Sequence, residues 1–134
     1  MRVIVPVVLV VMCLGLQSGR TLAASFAFQT PSKNIGCIGG SRGLRCDIGQ
    51  KDWPGPARPV SCHLGYGDSL SMNETGRPQW TCHGDTVRNE GRILHYGTTS
   101  RFGPFTCTSR INGLTCTNRN GHGFFLSRQS YRLF

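Results

Sequence analysis

Histidines and arginines are the residues of this chain whose types and spacing could do chemistry. His83 stands in Cys82-His83-Gly84-Asp85, and His122 in Gly121-His122-Gly123-Phe124. A histidine with a second acid or base, and a cation for the phosphate, is what a small ribonuclease uses. His83, Glu90, His122 and a C-terminal arginine supply those residue types, but no fixed spacing ties them into a motif. Asp85 reads better as a turn residue before Thr86, and His122 as part of a glycine loop with its ring against a neighbour. No G-x-S-x-G marks a serine nucleophile, and no glycine loop of the Walker or dinucleotide kind cradles a phosphate. C-x2-C is absent, and the Cys-His dipeptides at 62–63 and 82–83 lack zinc-finger spacing. The expectation is a chain that is not an enzyme, with no catalytic residue, metal or cofactor assigned.

Seven arginines follow residue 86, namely Arg88, Arg92, Arg101, Arg110, Arg119, Arg128 and Arg132, against Glu90 alone. Residues 25–86 hold six Lys or Arg against five Asp or Glu, so the formal charge of +9 lies mainly in the second half. From Arg92 to Arg128 the arginines recur every nine residues. Guanidinium forks suit phosphate and carboxylate. The expected site is therefore a cationic face for an anionic envelope polymer, a lipid headgroup or an acidic protein. The competing reading is that nine residues are one strand plus one turn, with arginine favoured over lysine by a GC-rich genome. Phe102, Phe105, Phe124, Phe125, Tyr131 and Phe134 share this region, and with the arginines they could stack single-stranded nucleic acid. An exported protein rarely meets that partner, so nucleic acid is not expected. The aromatics are read as core strands, closed by a C-terminal strand from Gly123 to Phe134.

The elements that must position these residues are set by cysteines. Cys37 to Cys46 and Cys107 to Cys116 both read C-x5-G-L-x-C. The N-terminus reads as a secretory signal over 1–24: Arg2, an apolar run from Val3 to Leu16, then Thr21-Leu22-Ala23-Ala24. Cys13 in Val10-Val11-Met12-Cys13 only partly fits a lipobox, because Met12 stands where a small residue is needed. Removing the signal leaves Cys37, Cys46, Cys62, Cys82, Cys107 and Cys116, an even set that implies three disulfides in an exported chain. The repeated frame predicts Cys37–Cys46 and Cys107–Cys116 as local hairpins, leaving Cys62–Cys82. An even number of intervening residues lets the two cysteines of a hairpin face each other, although a bulge at Gly43 or Gly113 would shift that register. Each bridge is worth about 3 kcal/mol.

Residues 25–134 read as one domain, all-β, with little or no helix. Leu44, Cys46 and Ile48 alternate with Arg45 and Asp47, and Val60, Cys62 and Leu64 alternate with Ser61 and His63. Glycine and proline turn signals come at short intervals, so the expected architecture is a small disulfide-stapled barrel or sandwich of antiparallel strands. No later segment is apolar enough to span a bilayer.

Phe28-Gln29-Thr30-Pro31-Ser32-Lys33-Asn34-Ile35-Gly36-Cys37, then Arg45-Cys46-Asp47-Ile48 and Trp53, resemble the opening of a family of small, exported, cysteine-rich actinobacterial domains of unknown function. Tyr96-Gly97, Phe105-Thr106-Cys107, Gly113-Leu114-Thr115-Cys116, Gly121-His122-Gly123-Phe124 and Ser127-Arg128 resemble its close. Lys33 stands where the family's Ser-Gly-Asn turn has glycine. The resemblance implies export and a cysteine-rich domain, and it carries no activity to transfer. The expected function is an exported, monomeric binding module, secreted or held at the cell envelope, with the seven arginines as its anion-binding residues. The alternatives are a small ribonuclease-like hydrolase, or an enzyme inhibitor with a rigid loop at Trp53 to Pro59 or Cys107 to Cys116.

Overall fold

The structure is a computed structural model that describes residues 25–134. The expected signal over 1–24, with Cys13, lies outside the described residues. In the Cys37 hairpin, apolar Leu44, Cys46 and Ile48 share one face, which gives β2 (Ile35–Gly39) and β3 (Gly43–Ile48) a buried side. β1 (Phe26–Gln29) precedes them, and β4 (Ser69–Asn73) and β5 (Gln79–Trp80) follow. These five strands pair in sequence order as an antiparallel meander, and β6 (Arg92–Ile93) adds in parallel beside β1. A second meander repeats the plan with β7 (Thr99–Phe102), β8 (Phe105–Arg110), β9 (Gly113–Thr117), β10 (Gly123–Leu126) and β11 (Tyr131–Leu133).

The cysteine frame occupies the second and third strands of each meander. Cys37 lies directly opposite Cys46, and Cys107 opposite Cys116. Both pairs are bonded, with Cα atoms 4.1 Å apart. No bulge intervenes, so the even spacing acts as read. Cys62 bonds to Cys82. Both hairpin bridges are fully buried, because each sheet turns its cysteine face to the other. Phe102 of the second sheet stacks on Phe26 and Phe28 of the first, with centroids 4.6 and 4.8 Å apart. The result is a sandwich rather than a closed barrel. Its core holds Phe28, Phe105 and Phe124 at 0% exposure, and truncating any one to alanine would cost about 3–5 kcal/mol. Trp80 on β5, Tyr131 on β11 and Trp53 pack together across one open side, with centroids 4.6–6.1 Å apart.

Two local expectations are corrected, and the burial of Asp47 is new. Residues 57–64 form no strand, and Val60 and Leu64 are 94% and 54% exposed. Pro54, Pro56 and Pro59 break the segment, lacking N–H donors for a ladder, and the Cys62–Cys82 bridge pins the loop instead. The stretch from Gly123 to Phe134 is a hairpin rather than one strand, because Ser127 closes a turn with Ser130. Asp47 does not face solvent. It lies on the outer face of its sheet, buried where the segment around Val87 crosses it.

Candidate functional site

Two groups of polar side chains stand out. The first lies over the outer face of β3. Asp47 accepts from Arg45 Nε and Nη2 at 2.9 Å, from Ser69 Oγ at 2.6 Å and from the Val87 amide at 3.1 Å. Arg45 also reaches Asp85 at 3.1 Å, which turns that exposed carboxylate towards the domain and holds it below the usual carboxylate range. His83 directs Nδ1 at the Asp85 carbonyl and Nε2 at Asp68 Oδ1, 2.6 Å away. Both partners are acceptors, so the ring fits best as a doubly protonated imidazolium. Burial works against that charge, but the Asp68 hydrogen bond, the Asp85 carbonyl and nearby carboxylates raise the His83 value above its ordinary one. Neither ring nitrogen is left for a substrate. His83 is a clasp between loop and sheet.

The histidine assembly read from the sequence is not brought together. His83 binds Asp68, just before β4, whereas the His122 loop is tied through Asn118 to Asn73 at the other end of β4. With a rise of about 3.3 Å per residue, those anchors are on the order of 15 Å apart. Glu90 lies on an exposed segment before β6 and joins neither. Both loops named for an inhibitor are anchored to the sandwich. Residues 107–116 are core hairpin, and Trp53 is fixed by its indole donating to Ser127 O at 2.9 Å.

The second group is a cleft of about 400 Å³ at one end of the sandwich. Three turns meet there: β1–β2 with Ser32, Lys33 and Asn34, β8–β9 with Ile111 and Asn112, and β10–β11 with Ser127, Arg128 and Gln129. Arg110 ends β8 at its rim, and Tyr96 and Gln50 contribute from neighbouring loops. Arg88 packs its guanidinium against Gly49, where any Cβ would collide with Nη1. Asn34 and Gln50 brace the same wall, with Gln50 N donating to Asn34 Oδ1 at 2.6 Å and Asn34 Nδ2 to Gln50 O at 2.8 Å. Among the described residues no acidic side chain lines the cleft. Arg128 has one outside partner, Asp52 at 3.4 Å, and that pair is so exposed that it is worth about 0–1 kcal/mol. Lys33 takes a left-handed conformation with φ 59°. The glycine turn of the resemblance is therefore kept, and a cation is carried on it at a strain of roughly 1–2 kcal/mol.

The seven expected arginines do not form one face. Nine residues are one strand plus one turn, and each step along a meander reverses direction. Arg110 and Arg128 therefore come to the cleft end, while Arg101 and Arg119 lie by turns at the opposite end, where Arg119 N donates to Glu74 O. Arg92 on β6 and Arg132 on β11 lie over Phe102 and Phe134, at 5.8 and 5.4 Å from the ring centroids. Only Arg88, Arg110 and Arg128 gather, and Lys33 joins them.

A family model matches residues 8–134 and describes a family of unknown function, DUF6636. The chain belongs to that family. The match spans both meanders of the DUF6636 domain and all three of its disulfides. No curated protein and no solved structure matches the chain. In this DUF6636 domain the three bridges fit an oxidising, extracellular type of environment. Among the described residues no helix is long and apolar enough to cross a membrane, and no cluster of His, Cys, Asp or Glu could hold a metal ion.

Proposed function

We propose that this protein is an exported binding module that recognises phosphate or carboxylate groups in the cleft formed by Lys33, Arg88, Arg110 and Arg128. The observation that carries this reading is the convergence of four cations on a concave site without an acidic residue. Arg88 lies against Gly49 and donates Nε to Thr86 Oγ1 at 3.3 Å, so one guanidinium has partners in the protein before any ligand arrives. A lysine kept in a left-handed turn at an energetic cost is the second support, since backbone strain of this kind concentrates at functional positions. Chains of polyphosphate are a suitable probe. Binding measured by calorimetry should weaken steeply as ionic strength rises from about 0.01 M to about 1 M, over which the screening length falls from roughly 30 Å to roughly 3 Å. No binding, or binding insensitive to salt, would refute the reading.

A further inference from the structure

The tip of the β8–β9 hairpin places an isoleucine where folding does not call for one. Ile111 is 86% exposed and lies between Arg110 and Asn112 on the rim of the cationic cleft. The β2–β3 hairpin has the same frame and the same two-residue tip, and there it carries Ser41 and Arg42. Small polar residues are the usual occupants of such tips. A single exposed aliphatic proves nothing, and Val60 is 94% exposed as well. What sets Ile111 apart is its company: Lys33, Arg88, Arg110 and Arg128, with the half-exposed ring of Tyr96 in the same cleft. An exposed apolar side chain among four cations, beside an amphipathic tyrosine, matches a surface that is anionic outside and hydrocarbon beneath.

We infer that this end of the sandwich docks on an anionic lipid surface, with Ile111 inserted between headgroups and the four cations on their phosphates. The inference rests on the anion-binding reading above and names the ligand class for that site. A soluble polyanion satisfies the cations but offers Ile111 nothing, whereas a bilayer engages both. An acidic protein or a free polyanion would not need the isoleucine.

The test compares wild type with Ile111→Ser on two probes: vesicles of phosphatidylglycerol and phosphatidylcholine, and soluble polyphosphate. The exposed tip makes the variant safe for folding, and an unchanged melting temperature checks that. Ile111→Ser should lower vesicle partitioning about tenfold and leave polyphosphate affinity within about twofold. In a second variant, Ile111→Trp, indole emission in excess of the wild-type background should shift to the blue on anionic vesicles and not on polyphosphate. Equal vesicle binding by wild type and Ile111→Ser, or equal losses on both probes, would overturn the insertion. Polyphosphate binding without vesicle binding would overturn it too and leave the anion-binding reading standing. Binding to neither probe would sink both.

Discussion

The two meanders share a chassis and differ in what hangs from it. In each, strands two and three carry the C-x5-G-L-x-C frame, directly paired and bridged. The two frames point in opposite directions. The Cys37 hairpin ends near Gly103, in the β7–β8 turn, and the Cys107 hairpin ends near Ser32 and Lys33, in the β1–β2 turn. Each tip thus meets the first turn of the other meander. At the Gly103 end that turn is two residues long and the tip is Ser41-Arg42. At the other end the turn runs over 30–34, carries the strained Lys33, and leaves room for a cleft opposite Ile111. A second contrast lies in the link from strand three to strand four. The first meander uses the long stretch 49–68, and the segment around Val87 crosses its outer face and buries Asp47. The second uses the short 118–122 turn and leaves a threonine-lined outer face. The repeated parts hold the molecule together, and the candidate chemistry lies where the two meanders differ.

Full reduction should break both meanders at once. Three bridges at about 3 kcal/mol each compare with a total stability of about 5–15 kcal/mol for a small domain, so excess dithiothreitol should unfold the protein at ordinary temperature. Removing Cys37 with Cys46, or Cys107 with Cys116, by paired serine substitution should cost about the same, since both loops have a sequence separation of 9. Chemical denaturation of the two variants measures this, and a clearly unequal loss would show that the frames are not equivalent.

The shared glycine sharpens the comparison further. Gly113 has φ 151°, and a Cβ there would lie 2.6 Å from Leu126 O and 2.5 Å from the Phe125 ring. Gly43 sits at the same place in the other frame, yet a Cβ would meet nothing nearer than 3.8 Å. Gly113→Ala should lower stability by about 2 kcal/mol, and Gly43→Ala by no more than about 0.5 kcal/mol. Equal effects in urea melts would mean that the two turns are alike after all.

The His83 clasp belongs to the first meander alone. Its value is raised in the folded state, so the stability it contributes is fully present below the ordinary value of 6.5 and is lost as pH rises through the folded value. Thermal melts across that range should show a modest fall for the wild type and a flatter profile for His83→Gln. Identical profiles would mean that the contact with Asp68 carries no charge.

Much of the frame was legible in the sequence because disulfide pairing and strand faces follow short-range spacing. Cys37 and Cys46 are close in the chain, and the eight residues between them, an even number, let the two face each other across a hairpin. The nine-residue arginine period was also visible, but it reads first as one cationic face, whereas the topology fits the competing reading of one strand plus one turn. What spacing alone did not convey is that a meander inverts polarity at each step, which parts Arg110 from Arg119. The burial of Asp47 was not legible, because nothing local reveals that a distant segment will lie over it. Val60 and Leu64 alternate as a strand would, but the prolines just before them remove the ladder. Lys33 was visible as a departure from glycine in its turn, and its meaning appeared only once that turn met the Cys107 hairpin.

The central claim is that the cleft end binds and the opposite end does not. The most direct measurement is polyphosphate affinity for two charge-reversed proteins, Arg110→Glu with Arg128→Glu, and Arg101→Glu with Arg119→Glu. All four side chains are exposed, and each pair changes the net charge equally. The cleft pair should lose at least about tenfold in affinity, or ~1.4 kcal/mol, and the opposite pair less than about twofold. Equal losses would contradict the account, because binding would then follow total charge and not the cleft.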